Sequence, residues 1–135
     1  MKKEIKFRGK DNQNIWRYGY YLYIKPSEND FESNYIITQK GEKYEINTET
    51  VNQYTGLKDK KGTKIYEGDI ISVYNNILGK FAFNGIVEWH NYTYYVRQPE
   101  HKLSFITLDS LTTETLEVIG NIYDGYKNQC KEVKE

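Results

Sequence analysis

Glu67 and Asp69 stand two apart in "YEGDII", a spacing that on a strand sets both carboxylates on one face as a conceivable general acid and base. Such work needs an enclosed site that drives the two pKa values apart, and a glycine between the acids in a turn-rich stretch supplies none. The pair reads instead as turn chemistry, with Asp69 accepting backbone N–H bonds. Glu88 and His90 also share a strand face, and His101 with Asp109 could complete a metal site. Two histidines at no ligand-motif spacing read more simply as a polar outer face beside a turn. Residues 56–64 hold glycines and lysines, yet not in the order that seats a phosphate at a helix start. The expectation is therefore no cofactor, no metal and no enzyme.

A stronger signal is aromatic. In "IWRYGYYLYIK", residues 15–25, an extended chain sets Trp16, Tyr18, Tyr20, Leu22 and Ile24 on one side and Arg17, Tyr21, Tyr23 and Lys25 on the other. A strand with one buried face should be polar on the second, so a second tyrosine row calls for a cover of its own. Three covers compete. A loop of the same chain, such as residues 31–35, would do. So would a second copy or another protein, because Tyr, Trp and Arg are enriched at interface centres; the contact residues are then Trp16, Arg17, Tyr18, Tyr21 and Tyr23. The alternative is a single-stranded nucleic acid stacked on Tyr21 and Tyr23, its phosphates held by Lys6, Arg8, Arg17 and Lys25. A second basic group, Lys58, Lys60, Lys61 and Lys64, is diluted by Asp59 and Glu67 and reads as a solvated loop.

The chain of 135 residues balances 19 basic against 19 acidic side chains, so it lacks the overall positive field that draws proteins onto nucleic acids or anionic membranes. Cys130 is its sole cysteine, which excludes an intrachain disulfide and a multi-thiolate metal centre. No apolar run follows the basic start "MKKEIKFRGK", and none elsewhere approaches a membrane span. A cytoplasmic protein without membrane contact is expected.

Strand signals must position these residues. Ile5 and Phe7 alternate with Lys6 and Arg8, "GKDNQN" turns the chain, and the aromatic run completes a first hairpin. "YIIT", Lys40-Gly41 and residues 44–46 make a second. Residues 54–71 read as a link, after which "DIISVY", "NGIVEW", "YYVRQ", "LSFITL" and "LEVIGNIY" are short strands. Residues 108–116 lack a helical apolar stripe and read as a turn. Short strands with glycine turns point to a small barrel or sandwich, the first hairpins standing as a separate lobe.

Three blocks carry a resemblance across nearly the whole chain: "IKFRGKD" at residues 5–11, "QYTGLKDKKGTKIYEGDII" at 53–71 and "LEVIGNIYD" at 116–124. In order and wording they resemble the YopX family of small proteins of bacteriophages, prophages and related mobile elements. The resemblance implies a mainly β protein: an N-terminal β-hairpin lobe over residues 1–50, a small SH3-like β-barrel over 51–124, and self-association inside the host bacterial cell. Relatives continue past the last block with a Pro-containing helical segment. Here a charged tail, residues 125–135, follows and is expected to be disordered.

Overall fold

The computed structural model describes residues 4–25, 32–75, 77–99 and 105–126. It divides into two compact units, residues 1–54 and 55–135. Both are built of antiparallel sheet, as the alternating and aromatic-rich segments require. Among the described residues the non-strand elements are 3-10 turns, and no helix is long and apolar enough to cross a membrane.

In the first unit, β1 (Phe7–Lys10), β2 (Trp16–Ile24), β3 (Ser33–Ile37) and β4 (Lys43–Glu45) lie in the order β4-β3-β2-β1, with the start of β5 (Asn52–Lys58) beside β1. The β1–β2 turn is made by Asp11, whose carboxylate accepts N–H bonds from Gln13 (2.9 Å) and Ile15 (3.0 Å). The β3–β4 turn uses Gly41 at φ 86°, a value that a side chain resists.

β2 changes partner midway. Residues 16–19 pair with β1, Lys10 opposite Trp16 and Phe7 opposite Gly19; residues 20–24 pair with β3, Tyr20 opposite Ile37 and Ile24 opposite Ser33. The change falls at Gly19, where a Cβ would lie 2.0 Å from the Ile37 carbonyl oxygen. Gly9, in the matching row of β1, lies under Ile46, and a Cβ there would meet Ile46 Cδ1 at 2.6 Å. This glycine-bearing face is the packed one, with Ile36 and Ile46 at its centre.

In the second unit, β6 (Lys64–Tyr66) pairs with the later part of β5, and β7 (Asp69–Tyr74), β8 (Phe81–His90), β9 (Thr93–Arg97), β10 (Phe105–Thr107), β11 (Leu116–Asn121) and β12 (Gly125–Tyr126) form a sheet ordered β10-β9-β8-β7-β11-β12. Ile65, Ile71, Val73, Val87, Val96, Leu108 and Leu116 are its core. Asn91 and Tyr92, both at positive φ, make the two-residue β8–β9 turn expected around His90–Thr93.

Three expectations need correction. Neither sheet closes into a barrel; among the described residues β10 and β12, three and two residues long, end the second sheet as short edges. The 54–71 stretch is more than a link, since it contributes most of β5, all of β6 and the start of β7. Its strands were masked by glycine and lysine, because an acidic side chain fastens the hairpin. Finally, Gly125 and Tyr126 belong to β12, paired with Asn121 and Gly120, so the first two residues assigned to the tail are ordered by a backbone ladder. The remainder of the tail, Cys130 included, lies outside the described residues.

Candidate interaction surface

The acids first considered for chemistry are engaged in the fold. Asp69 is buried and its Oδ2 accepts the Tyr66 N–H at 2.8 Å, the turn role expected of it. Glu67 acts on Tyr94, whose phenol is pushed up by burial and then by that carboxylate. Glu88 pairs with Arg97 at 2.8 Å, and His90 meets Tyr95 edge-on. Among the described residues no group of three or more His, Cys, Asp or Glu could hold a metal, and His101 lies outside them.

Asp59 does not lie in a solvated loop, as its basic neighbours suggest, but inside the fold. Its carboxylate is buried and accepts from three backbone groups, Lys61 N and Thr63 N at Oδ1 and Val118 N at Oδ2, each at 2.9 Å. It therefore ties the β5–β6 turn to β11. Lys60 and Lys61 converge on Glu117, at 3.6 and 2.7 Å, and Lys60 also lies over the Tyr74 ring. The Lys61 hydrogen bond, against the cost of burial, holds the Glu117 carboxyl below its ordinary value.

On β2 the two rows have distinct fates. Arg17 donates to Asp11 at 2.9 Å and stacks on Tyr44, 3.8 Å from the ring centroid. Burial alone would raise the Asp11 carboxyl, but bonds from Ile15, Arg17 and Gln13 together bring it below the usual carboxylate value. Tyr21 packs on Phe7 and donates its hydroxyl to Asn34. Tyr23 is paired with Glu32, and its phenol is raised by desolvation and then by that hydrogen bond. In the row for which an outside cover was expected, Arg17 and Tyr21 are thus engaged by their own chain, while Tyr23, beside Glu32, stays 44% exposed.

Of the expected phosphate ligands, Arg8 is 5% exposed, donates to Asn52 at 3.1 Å and lies over Trp16 with Lys10. It does not face solvent and so is not placed to hold a phosphate as expected, and Trp16 is partly covered by these two cations. Arg17 is held by Asp11 and Tyr44, and Lys6 reaches Glu4 at 3.7 Å. Lys25 is exposed at the strand's end.

The other row is open. Tyr18 is 45% and Tyr20 66% exposed, and Leu22 and Ile24 are half-buried. The ladder adds Ile37 opposite Tyr20 and Tyr35 opposite Leu22, then Lys43 and Glu45 of β4 beyond them. Cross-strand partners share a face, so Tyr20–Ile37–Lys43 and Leu22–Tyr35–Glu45 are two parallel rows on one apolar surface with a charged rim. Lys43 leans over the Tyr35 ring at 4.8 Å. Tyr20, Leu22, Tyr35, Ile37, Lys43 and Glu45 were not among the expected contact residues, whereas Tyr18 was. The missed signal is Gly19: a residue without a side chain in the Arg17–Tyr21 row marks that row as the one approached by neighbouring backbone, which leaves the opposite row outermost.

These units define an all-antiparallel, two-sheet β protein with an open aromatic face on its first sheet. The chain matches the model of the YopX protein family over residues 6–126 and belongs to that family. Among solved structures it is similar to the crystal structure of protein EF1440 from Enterococcus faecalis, at 23% identity and a TM-score of 0.51, with 99% of this chain and 100% of that one covered. At that identity the likeness concerns the fold. Comparison with curated proteins finds no match.

Proposed function

We propose that the protein is a non-enzymatic binding module, an accessory of a phage or mobile element working in the cytoplasm of the host bacterium, and that it acts by protein–protein contact through the open face of its first sheet. The observation that carries this reading is the row Tyr18, Tyr20, Leu22 and Ile24, bordered by Tyr35 and Ile37, in which Tyr18 and Tyr20 are exposed and the aliphatic neighbours half-buried. Aromatic and aliphatic residues at the centre with charges at the rim are the composition of a protein interface. The engagement of Asp69 and Glu88 within the fold supports a role without catalysis. For the second unit, the meander β7 to β10 with β11 returning beside β7 supports an SH3-like assignment.

Binding of single-stranded nucleic acid is the weaker reading, since Arg8 and Arg17 are used internally. One experiment separates the two. A photo-reactive phenylalanine analogue at position 20 should give, on illumination in cells, a cross-linked protein adduct that resists nuclease, while the same analogue at exposed position 49 gives none. No adduct at position 20, or one that disappears on nuclease treatment, overturns the proposal.

A further inference from the structure

We infer that the protein also docks on an anionic lipid surface, through the tip of the β7–β8 hairpin in its second unit. The tip is the turn formed by Asn75 and residues 77–80, where Ile77 is 91% and Leu78 67% exposed. This is not slack chain. Asn75 Oδ1 accepts the Ile77 and Leu78 N–H groups, each at 2.9 Å. The Asn75 N–H donates to the Lys80 carbonyl at 2.6 Å, and the Gly79 N–H to the Asn75 carbonyl at 2.8 Å. A polar side chain thus fastens the turn from inside while two aliphatic ones are held outward. These four amides are satisfied before anything covers the tip, which is the condition for entering hydrocarbon, where an unmet N–H has no water to bond.

The order of side chains behind the tip identifies the cover. The next row along the hairpin is Tyr74 opposite Phe81, their rings edge-on with centroids 6.2 Å apart, Phe81 exposed and the exposed Lys80 beside it. One row further, about 7 Å along the strand, Ser72 lies opposite Glu117, on which Lys60 and Lys61 converge, Lys60 reaching over the Tyr74 ring at 4.2 Å. Aliphatic summit, aromatic collar and lysines follow one another in the order in which a bilayer presents acyl chain, interface and charged surface. Lys60, Lys61 and Lys80 stand against Glu117 and the buried Asp59, so the excess is positive and the lipid it suits is anionic. A protein pocket could take Ile77 and Leu78, but it gives no reason for the lysines behind them. The sequence-based expectation of no membrane contact follows from the absence of a spanning segment, and a tip that rests on a surface needs none.

Vesicles test this with the whole chain. It should co-sediment with vesicles of phosphatidylcholine and phosphatidylglycerol, and bind about fivefold more weakly to phosphatidylcholine alone. Ile77→Asp with Leu78→Asp should weaken binding to the mixed vesicles about tenfold or more, and Lys80→Glu should remove most of the preference for them. All three positions are exposed, so folding should survive, and circular dichroism checks it. Leu78→Trp gives a separate readout, since its emission should move to shorter wavelength on the mixed vesicles. No binding to the mixed vesicles, binding that survives the double substitution, or an unshifted emission from Leu78→Trp overturns the inference. So does a photo-reactive analogue at position 78 that cross-links in cells to protein and not to lipid. Tyr20 belongs to the first unit and the tip to the second, so these results stand apart from the position-20 adduct.

Discussion

A single carboxylate shows how the sequence most resembling a reactive loop is put to structural use. Asp59 accepts three backbone N–H bonds from two separate segments, so removing it takes the partner from three part-buried donors and unties the turn from β11. Asp59→Ala should lower unfolding free energy by about 3 kcal/mol in urea titration. Asp59→Asn keeps the two turn bonds at Oδ1 but turns an amide N–H2 toward the Val118 N–H, and should cost about 1–2 kcal/mol. Glu117 makes the corresponding prediction for pH. Its carboxyl titrates lower in the folded chain than its ordinary value of 4.5, so the stabilisation is complete above the unfolded value and is lost as pH falls through the folded one. Glu117→Gln should therefore reduce the loss of stability on acidification below about pH 4.5, measured as thermal midpoint against pH; an unchanged acid limb would show that the Lys61 contact contributes nothing.

At the level of strands, most elements were legible because aromatic and β-branched residues alternate between clear turn signals, as in "DIISVY" and in the hairpin turned by Asn91 and Tyr92. β5 and β6 were not, since a hairpin fastened by Asp59 rather than by apolar side chains leaves no periodic trace. The face of β2 was half legible. Alternation identified the two rows, but which row is covered depends on Gly9, Gly19 and the register with β3, and register is not written in one strand alone. Arg8 was misread for a related reason: an arginine on a strand resembles a phosphate ligand until Asn52 and Trp16 are seen beside it. Gly19 gives the sharpest test of this scale. Gly19→Ala forces a methyl group into the Ile37 carbonyl and should cost about 3 kcal/mol or more, whereas Gly41→Ala, with open space around it, should cost only the roughly 1–2 kcal/mol of its positive φ. Equal losses for the two would mean that β2 does not approach the Ile37 carbonyl as closely as described.

For the molecule as a whole, balanced charge and an apolar face make protein contact the economical reading. Leu22→Asp would set a carboxylate at the centre of the proposed contact and should weaken the protein adduct formed from position 20 about tenfold or more, read by gel densitometry. Added salt should change the yield of that adduct little, because the centre of the face is uncharged. A steep salt dependence would instead indicate that charge dominates. The course of β5 has a practical corollary for dissection. Asn52 and Gln53 line the edge of β1, while Thr55 onward belongs to the β6 hairpin. Fragments cut at the 54/55 boundary would each carry a severed half-strand, and a first fragment shortened before Asn52 would bare the Phe7–Arg8 edge. Fragments for separate expression should therefore keep the whole of residues 52–58 on both pieces, and shorter versions should clump in bacteria.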